Sequence, residues 1–276
     1  MLAGFGLDHE VSELAPGRFE QTVRTAVEAR PDLIVVLGGD GTARLVAETC
    51  GPQGPLLAPL SGGTMNKLGR VIYGSQPWPD ALTDALLNGA PRWTPGGEID
   101  GRAFYCRAVL GAPALLAQAR EAVREHRFGR ATRRAVAASR KARHTRLGYD
   151  IGGERGRALS VGLICPTVSR ALDENEGALE AAIIDLPSAK AGVSMALNTL
   201  TGEWRDDPHV QVRPCETARI WSTEPIQVML DGEFFELGRD VQAHFNPHAF
   251  RALSAGRRSR RRRRHADQSG RPKNST

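Results

Sequence analysis

Hydrophobic and polar positions alternate between two periods along the first ninety residues. In RFEQTVRTAVEAR, Phe19, Val23, Ala26 and Val27 recur at helical spacing, and Pro31 ends that helix. DLIVVL, from Asp32, is a continuous apolar run, the pattern of a strand covered on both faces. After GGDGT a helix is predicted from about Ala43 to Cys50. GPLLAPL reads as a second strand, SGGTMN as a second loop, and KLGRVIYG as the opening of another helix. PDALTDALLNG has a helical pattern closed by Gly89. Strands alternating with helices predict a parallel α/β sheet of Rossmann-like type.

The pattern shifts near Arg92 towards the strand period. RWTPGGEIDGRAFYCRAVLG reads as two strands joined at the Asp100-Gly101 turn. A basic helical stretch over 114–146 follows, and then strands at RLGYDI, RALSVGLI, ALEAAIID, HVQVRP, TARIWS, PIQVML and VQAHFN. SAKAGVSMALNTL reads as a helix among them. The expected organisation is an α/β domain over 1–92, a β-rich, sandwich-like domain over 93–256, and a disordered tail over 257–276.

Composition adds little until charge is mapped. With 41% hydrophobic and 25% charged residues the chain reads as a soluble globular protein, and no apolar run reaches the ~18 residues of a membrane span. The first residues show no signal peptide, so a cytoplasmic location is expected. Cys50, Cys106, Cys165 and Cys215 are widely spaced, with no CxxC pair to bind zinc or do redox chemistry. The net charge of +6 is concentrated in residues 257–276, which carry +8 and leave the remainder at −2. Such an arginine run fits a polyanion. Peripheral contact with an anionic membrane surface is expected here, rather than a specific nucleic acid.

Two loops carry the candidate chemistry. In Gly38-Gly39-Asp40-Gly41-Thr42 the glycines let a ligand approach the backbone, successive amides can cradle an anion, and Thr42 is expected to cap the following helix. Pro59 to Arg70 repeats the logic with Gly62, Gly63, Thr64 and Asn66. The first is neither a Walker A loop nor a dinucleotide fingerprint. A plain glycine turn, with Asp40 as a local cap, is the alternative reading of the first. Asp-Gly-Glu at Asp231, Gly232 and Glu233 is by itself a common hairpin turn.

Taken in order, GGDGT, the GT-x-N segment and DGE resemble the lipid-kinase superfamily of diacylglycerol, sphingosine and ceramide kinases and their bacterial relatives. The resemblance implies ATP and Mg²⁺ as cofactors and a membrane lipid as phosphate acceptor. It implies nucleotide contacts from Gly38, Gly39, Asp40, Gly41, Thr42, Gly63, Thr64 and Asn66. Glu233 would be the proton acceptor with Asp231 beside it, and Asp40 would hold magnesium or its waters. A family metal region maps to Asp173 and Glu176.

The sequence also departs from that pattern. The family's opening strand and Asn-Pro loop precede the segment that begins here, which suggests a start lying upstream or a fragment. Ala112, Pro113 and Ala114 stand where an acid is common, and Lys67 follows Asn66 where an acid or polar residue is commoner. Two further readings therefore stay open: a nucleotide- or lipid-binding relative without catalysis, and an enzyme like NAD kinase.

Overall fold

The computed structural model describes residues 2–15, 17–111, 146–172, 177–185 and 204–254. The predicted basic helix, the helix after Pro187, the segment at Ala112–Ala114, the arginine tail, Asp173 and Glu176 all lie outside these residues, apart from Arg146.

The chain forms two sheets around two apolar cores. The first 100 residues give α1 (Phe19–Glu28), β1 (Leu33–Gly38), α2 (Asp40–Cys50), β2 (Leu56–Ser61), α3 (Lys67–Tyr73), α4 (Trp78–Asn88) and β3 (Ala90–Ile99). β1 and β2 pair in parallel from Leu33 opposite Leu56 to Gly38 opposite Ser61. This register brings both strands to their carboxyl ends together, so the loops that follow them start side by side. Val46, Ala47, Leu57, Leu60, Ile72 and Leu82 are among the residues of the core beneath them.

β1 differs from the expectation of a strand covered on both faces. It lies at the end of the sheet path with β2 as its neighbour, and of its residues only Val36 is buried, while Leu37 is 50% exposed. An apolar run at a sheet edge reads the same in sequence as one at its centre.

Beyond β3 the chain turns at Asp100 (φ 52) and Gly101 (φ 74) into β4 (Arg102–Phe104). It then leaves the first sheet and enters the second as β5 (Arg107–Gly111). The remaining strands are β6 (Leu147–Ile151), β7 (Glu154–Ala158), β8 (Ser160–Ile164), β9 (Leu179–Ile184), β10 (Val210–Cys215), β11 (Thr217–Trp221), β12 (Ile226–Leu230), β13 (Glu233–Leu237) and β14 (Asp240–Ser254). The second sheet has the order β10-β9-β8-β5-β12-β13, antiparallel throughout. The run RALSVGLI, read as one strand, is the end of β7 and all of β8, divided where the chain crosses between sheets at Leu159. β8 is buried along its whole length, so the apolar run gives no sign of the crossing that precedes it.

Phe104, Leu110, Leu147, Leu163, Leu179, Ile220 and Leu230 help fill the core between the sheets. The fold is thus mixed α/β: a parallel-containing sheet flanked by helices, continued into a β-sandwich. β14 joins the parts. It is antiparallel to β11 and β3 along its length and parallel to β2 at Ala252, with a break in register between Asn246 and Phe250 around Pro247.

Candidate active site

The first loop is shorter than its sequence suggests. α2 begins at Asp40, and Gly39 is its N-cap residue. Gly41 and Thr42 therefore belong to the first helical turn. Thr42 does not cap α2, because a cap must precede the helix and Thr42 is already inside it. The amides of this turn have no intrahelical acceptor and carry the positive end of the helix dipole.

The second loop packs directly on the first. The Gly62 amide donates to Gly38 O at 3.0 Å. A Cβ on Gly63 would lie 2.6 Å from Gly39 Cα, and one on Gly62 would lie 2.7 Å from Gly38 N. The glycines are needed for loop-to-loop contact as much as for any ligand. Asn66, in the left-handed region at φ 49, closes its own loop. Its Oδ1 accepts from the Gly63 amide at 2.7 Å and its Nδ2 donates to Gly63 O at 2.5 Å. Thr64 stands exposed at the rim.

Asp40 serves this junction. Its Oδ1 accepts from the amides of Lys67 (2.5 Å) and Leu68 (3.3 Å), so an acid on the first loop caps the helix that follows the second. One part of the plain-turn reading therefore holds, since Asp40 is a cap. The helix it caps is α3, not its own.

Asp231 has a comparable duty at the sheet crossing. Where the chain passes from β4 to β5, three consecutive amides turn inward. Asp231 accepts all three: Tyr105 at 2.7 Å on Oδ2, and Cys106 at 2.9 Å and Arg107 at 2.8 Å on Oδ1. Its residue is 6% exposed and sits at φ 50 in the β12–β13 turn. Burial pushes its carboxyl up from the usual range, against the three amides and Lys67, which favour the ionised form. Asp231 is thus enclosed by backbone, and its observed work is to hold the turn in place.

That turn aims Glu233. The Glu233 carboxylate lies over α2, where a Cβ added to Gly41 would be 2.1 Å from its Oε1. Its Oε2 accepts from Arg44 Nη2 at 2.7 Å. The structure brings the first loop, the second loop and the DGE turn to one place, with Lys67 in electrostatic reach of Asp40, Asp231, Cys106 and Arg107. Burial and the Arg107 charge hold the Lys67 ammonium below its ordinary value. Arg44 was missed by motif reasoning. Its signal was an arginine three residues before the apolar Ala47 and four before Glu48 on α2.

As for a metal, no group of three or more His, Cys, Asp or Glu is gathered among the described residues. Asp231 is fully engaged and Asp40 has one oxygen engaged. The described residues do not themselves form a magnesium cage.

The architecture is shared with solved structures of proteins described as kinases. A diacylglycerol kinase from Bacillus anthracis superposes with a TM-score of 0.63 at 14% identity, over 89% of this chain and 84% of that one. An NAD kinase from Archaeoglobus fulgidus in complex with ATP gives 0.52 at 11% identity, over 94% and 89%. Yeast NADH kinase complexed with NADH gives 0.52 at 16%, over 90% and 68%. No curated protein sequence matches the chain.

Within that shared fold, residues 1–97 match the family described as the diacylglycerol kinase catalytic domain. The chain thus shares its fold with those diacylglycerol and NAD kinases, and its first part is similar to the diacylglycerol kinase catalytic domain. Among the described residues no helix is long and apolar enough to cross a membrane.

Proposed function

We propose that this protein transfers the γ-phosphate of ATP to a hydroxyl group of a membrane lipid of the diacylglycerol type. The observation that carries the reading is the seat of Glu233. A carboxylate that is 192 positions further along the sequence rests on Gly41, in the first turn of α2.

Phosphoryl transfer depends on positioning and on neutralising charge spread over the phosphate oxygens. The first-turn amides of α2 supply neutralisation, helped by the hydroxyls of Thr42, in that turn, and of Thr64, exposed on the loop packed against it. Glu233 Oε1 takes the proton of the acceptor hydroxyl. The acceptor oxygen then forms its bond to the γ-phosphorus as the bond to the bridging oxygen breaks, and ADP leaves with that electron pair. A positioned base of this kind is worth about 10²–10⁴ in rate. Mg²⁺, when it accompanies the nucleotide, would add Lewis-acid neutralisation. The protein would work at the cytoplasmic membrane surface, with the arginine-rich segment drawn to anionic lipid by about 1 kcal/mol per basic residue.

The test is transfer of label from γ-³²P-ATP to diacylglycerol in mixed vesicles, with Glu233→Gln as control. Labelled lipid that falls by about 10² or more in the variant supports the reading. A folded protein that labels no lipid and shows no heat of ATP binding by calorimetry overturns it.

A further inference from the structure

Arg44 is buried on the second turn of α2, and none of the three motifs includes it. Its Nη2 donates to Glu233 at 2.7 Å and its Nη1 to Glu48 Oε2 at 2.8 Å. Its guanidinium carbon lies 5.3 Å from the centroid of the Phe235 ring. Strand alternation puts Glu233 and Phe235 on one face of β13, so one guanidinium grips two successive side chains of that face. Each neighbour is fixed in turn. Glu48 Oε1 accepts from the Ala103 amide on β4 at 3.4 Å, and the Phe235 ring has Arg102 at 4.6 Å.

The geometry has a specific chemical result. The Glu233 side chain is 45% exposed and starts from a hairpin turn, so without a partner it would sample several rotamers. The bond to Arg44 occupies Oε2. Oε1 is left against Gly41, at the positive end of α2.

We propose that Arg44 is the positioning residue for Glu233. It divides the carboxylate into one anchored oxygen and one working oxygen, and it locks the β12–β13 hairpin to the helix that begins at the glycine loop. The catalytic consequence rests on the kinase function proposed above. The anchoring itself does not.

A double-mutant cycle tests both. By hydrogen exchange, Arg44→Gln should speed amide exchange across residues 231–237 by about tenfold. Glu233→Gln, which breaks the same pair from its exposed side, should do the same, and Arg44→Lys should do so less. In the vesicle assay Arg44→Gln should lower kcat by about 10–100-fold with the KM for ATP nearly unchanged. Arg44→Lys should recover part of the loss. Placed on Glu233→Gln, Arg44→Gln should cost nothing further, because a residue acting only through Glu233 has nothing left to position.

Unchanged exchange in both Arg44→Gln and Glu233→Gln, or additive losses of kcat in the double variant, would overturn the proposal. If the wild type labels no lipid, the kinase reading fails alone, and the exchange comparison still decides whether Arg44 anchors Glu233.

Discussion

Gly41→Ala should separate stability from activity. The added Cβ would stand 2.1 Å from Glu233 Oε1 and 3.0 Å from its Cδ, whereas ordinary contact begins near 3.4 Å. The carboxylate must therefore retreat by more than an ångström. It can do so, because it ends a flexible, half-exposed side chain. The backbone of Gly41 is helical and raises no objection to alanine, and glycine-to-alanine in a helix is worth up to about 1 kcal/mol in favour of the fold. Against this stands the loss of one partly exposed ion pair with Arg44, about 0.2–1 kcal/mol.

The two terms nearly cancel, so the urea midpoint should move by no more than the equivalent of about 1 kcal/mol in either direction. In the proposed transfer the rate should fall by about 10², the effect of misplacing a base by that distance. The assay is urea unfolding beside label transfer to diacylglycerol, with ATP affinity measured in parallel to separate a lost base from a blocked nucleotide. Gly63→Ala is the contrast, since its Cβ meets Gly39 backbone at 2.6 Å and can be relieved only by parting the loops. It should lose about 1–3 kcal/mol of stability. A Gly41→Ala protein with the wild-type rate would show that the seat of Glu233 on Gly41 has no part in transfer.

Two other expectations follow from the buried groups. Asp231→Asn turns an acceptor for three amides into a group with its own donors, and should destabilise the protein by about 2–3 kcal/mol by urea unfolding, activity aside; an unchanged midpoint would mean those amides have other partners. Above neutrality, burial pushes the Cys50 and Cys215 thiols up to about 11 from 9.0, so the folded state keeps protons that the unfolded state gives up. That stabilisation is whole below pH 9 and is lost as pH rises through 11. The raised Tyr73 and Tyr105 phenols extend the loss, and Lys67 opposes it as a single group, so the urea midpoint should fall steadily over that range.

What was legible in the sequence was local. A β-branched run ending at glycines marks a strand, a loop and a helix within a dozen residues, and β1, α2, β2 and α3 follow that reading. The hairpin at Asp100-Gly101 was legible for the same reason, because two residues that tolerate positive φ settle it. The pairings that build the site are not local. Asp40 caps α3, not α2, because the β1–β2 register sets the two loops against each other, and register is a property of the sheet. Asp231 is spent on amides of the β4–β5 crossing, and no pattern in FYCRA announces that one strand becomes two. Arg44 showed only as an arginine one helical turn before Ala47 and Glu48.

β14 bears on how the molecule comes into being. Its fifteen residues, Asp240–Ser254, lie against β2 and β3 as well as β11. Phe250 and Ala252 sit in the core of the helical part, while Val241 and Ala243 sit in the core between the sheets. A ribosome making this chain therefore releases neither half in finished form until β14 has been made. The nascent glycine loops must wait, with one side of β2 uncovered, for a strand encoded some two hundred codons later.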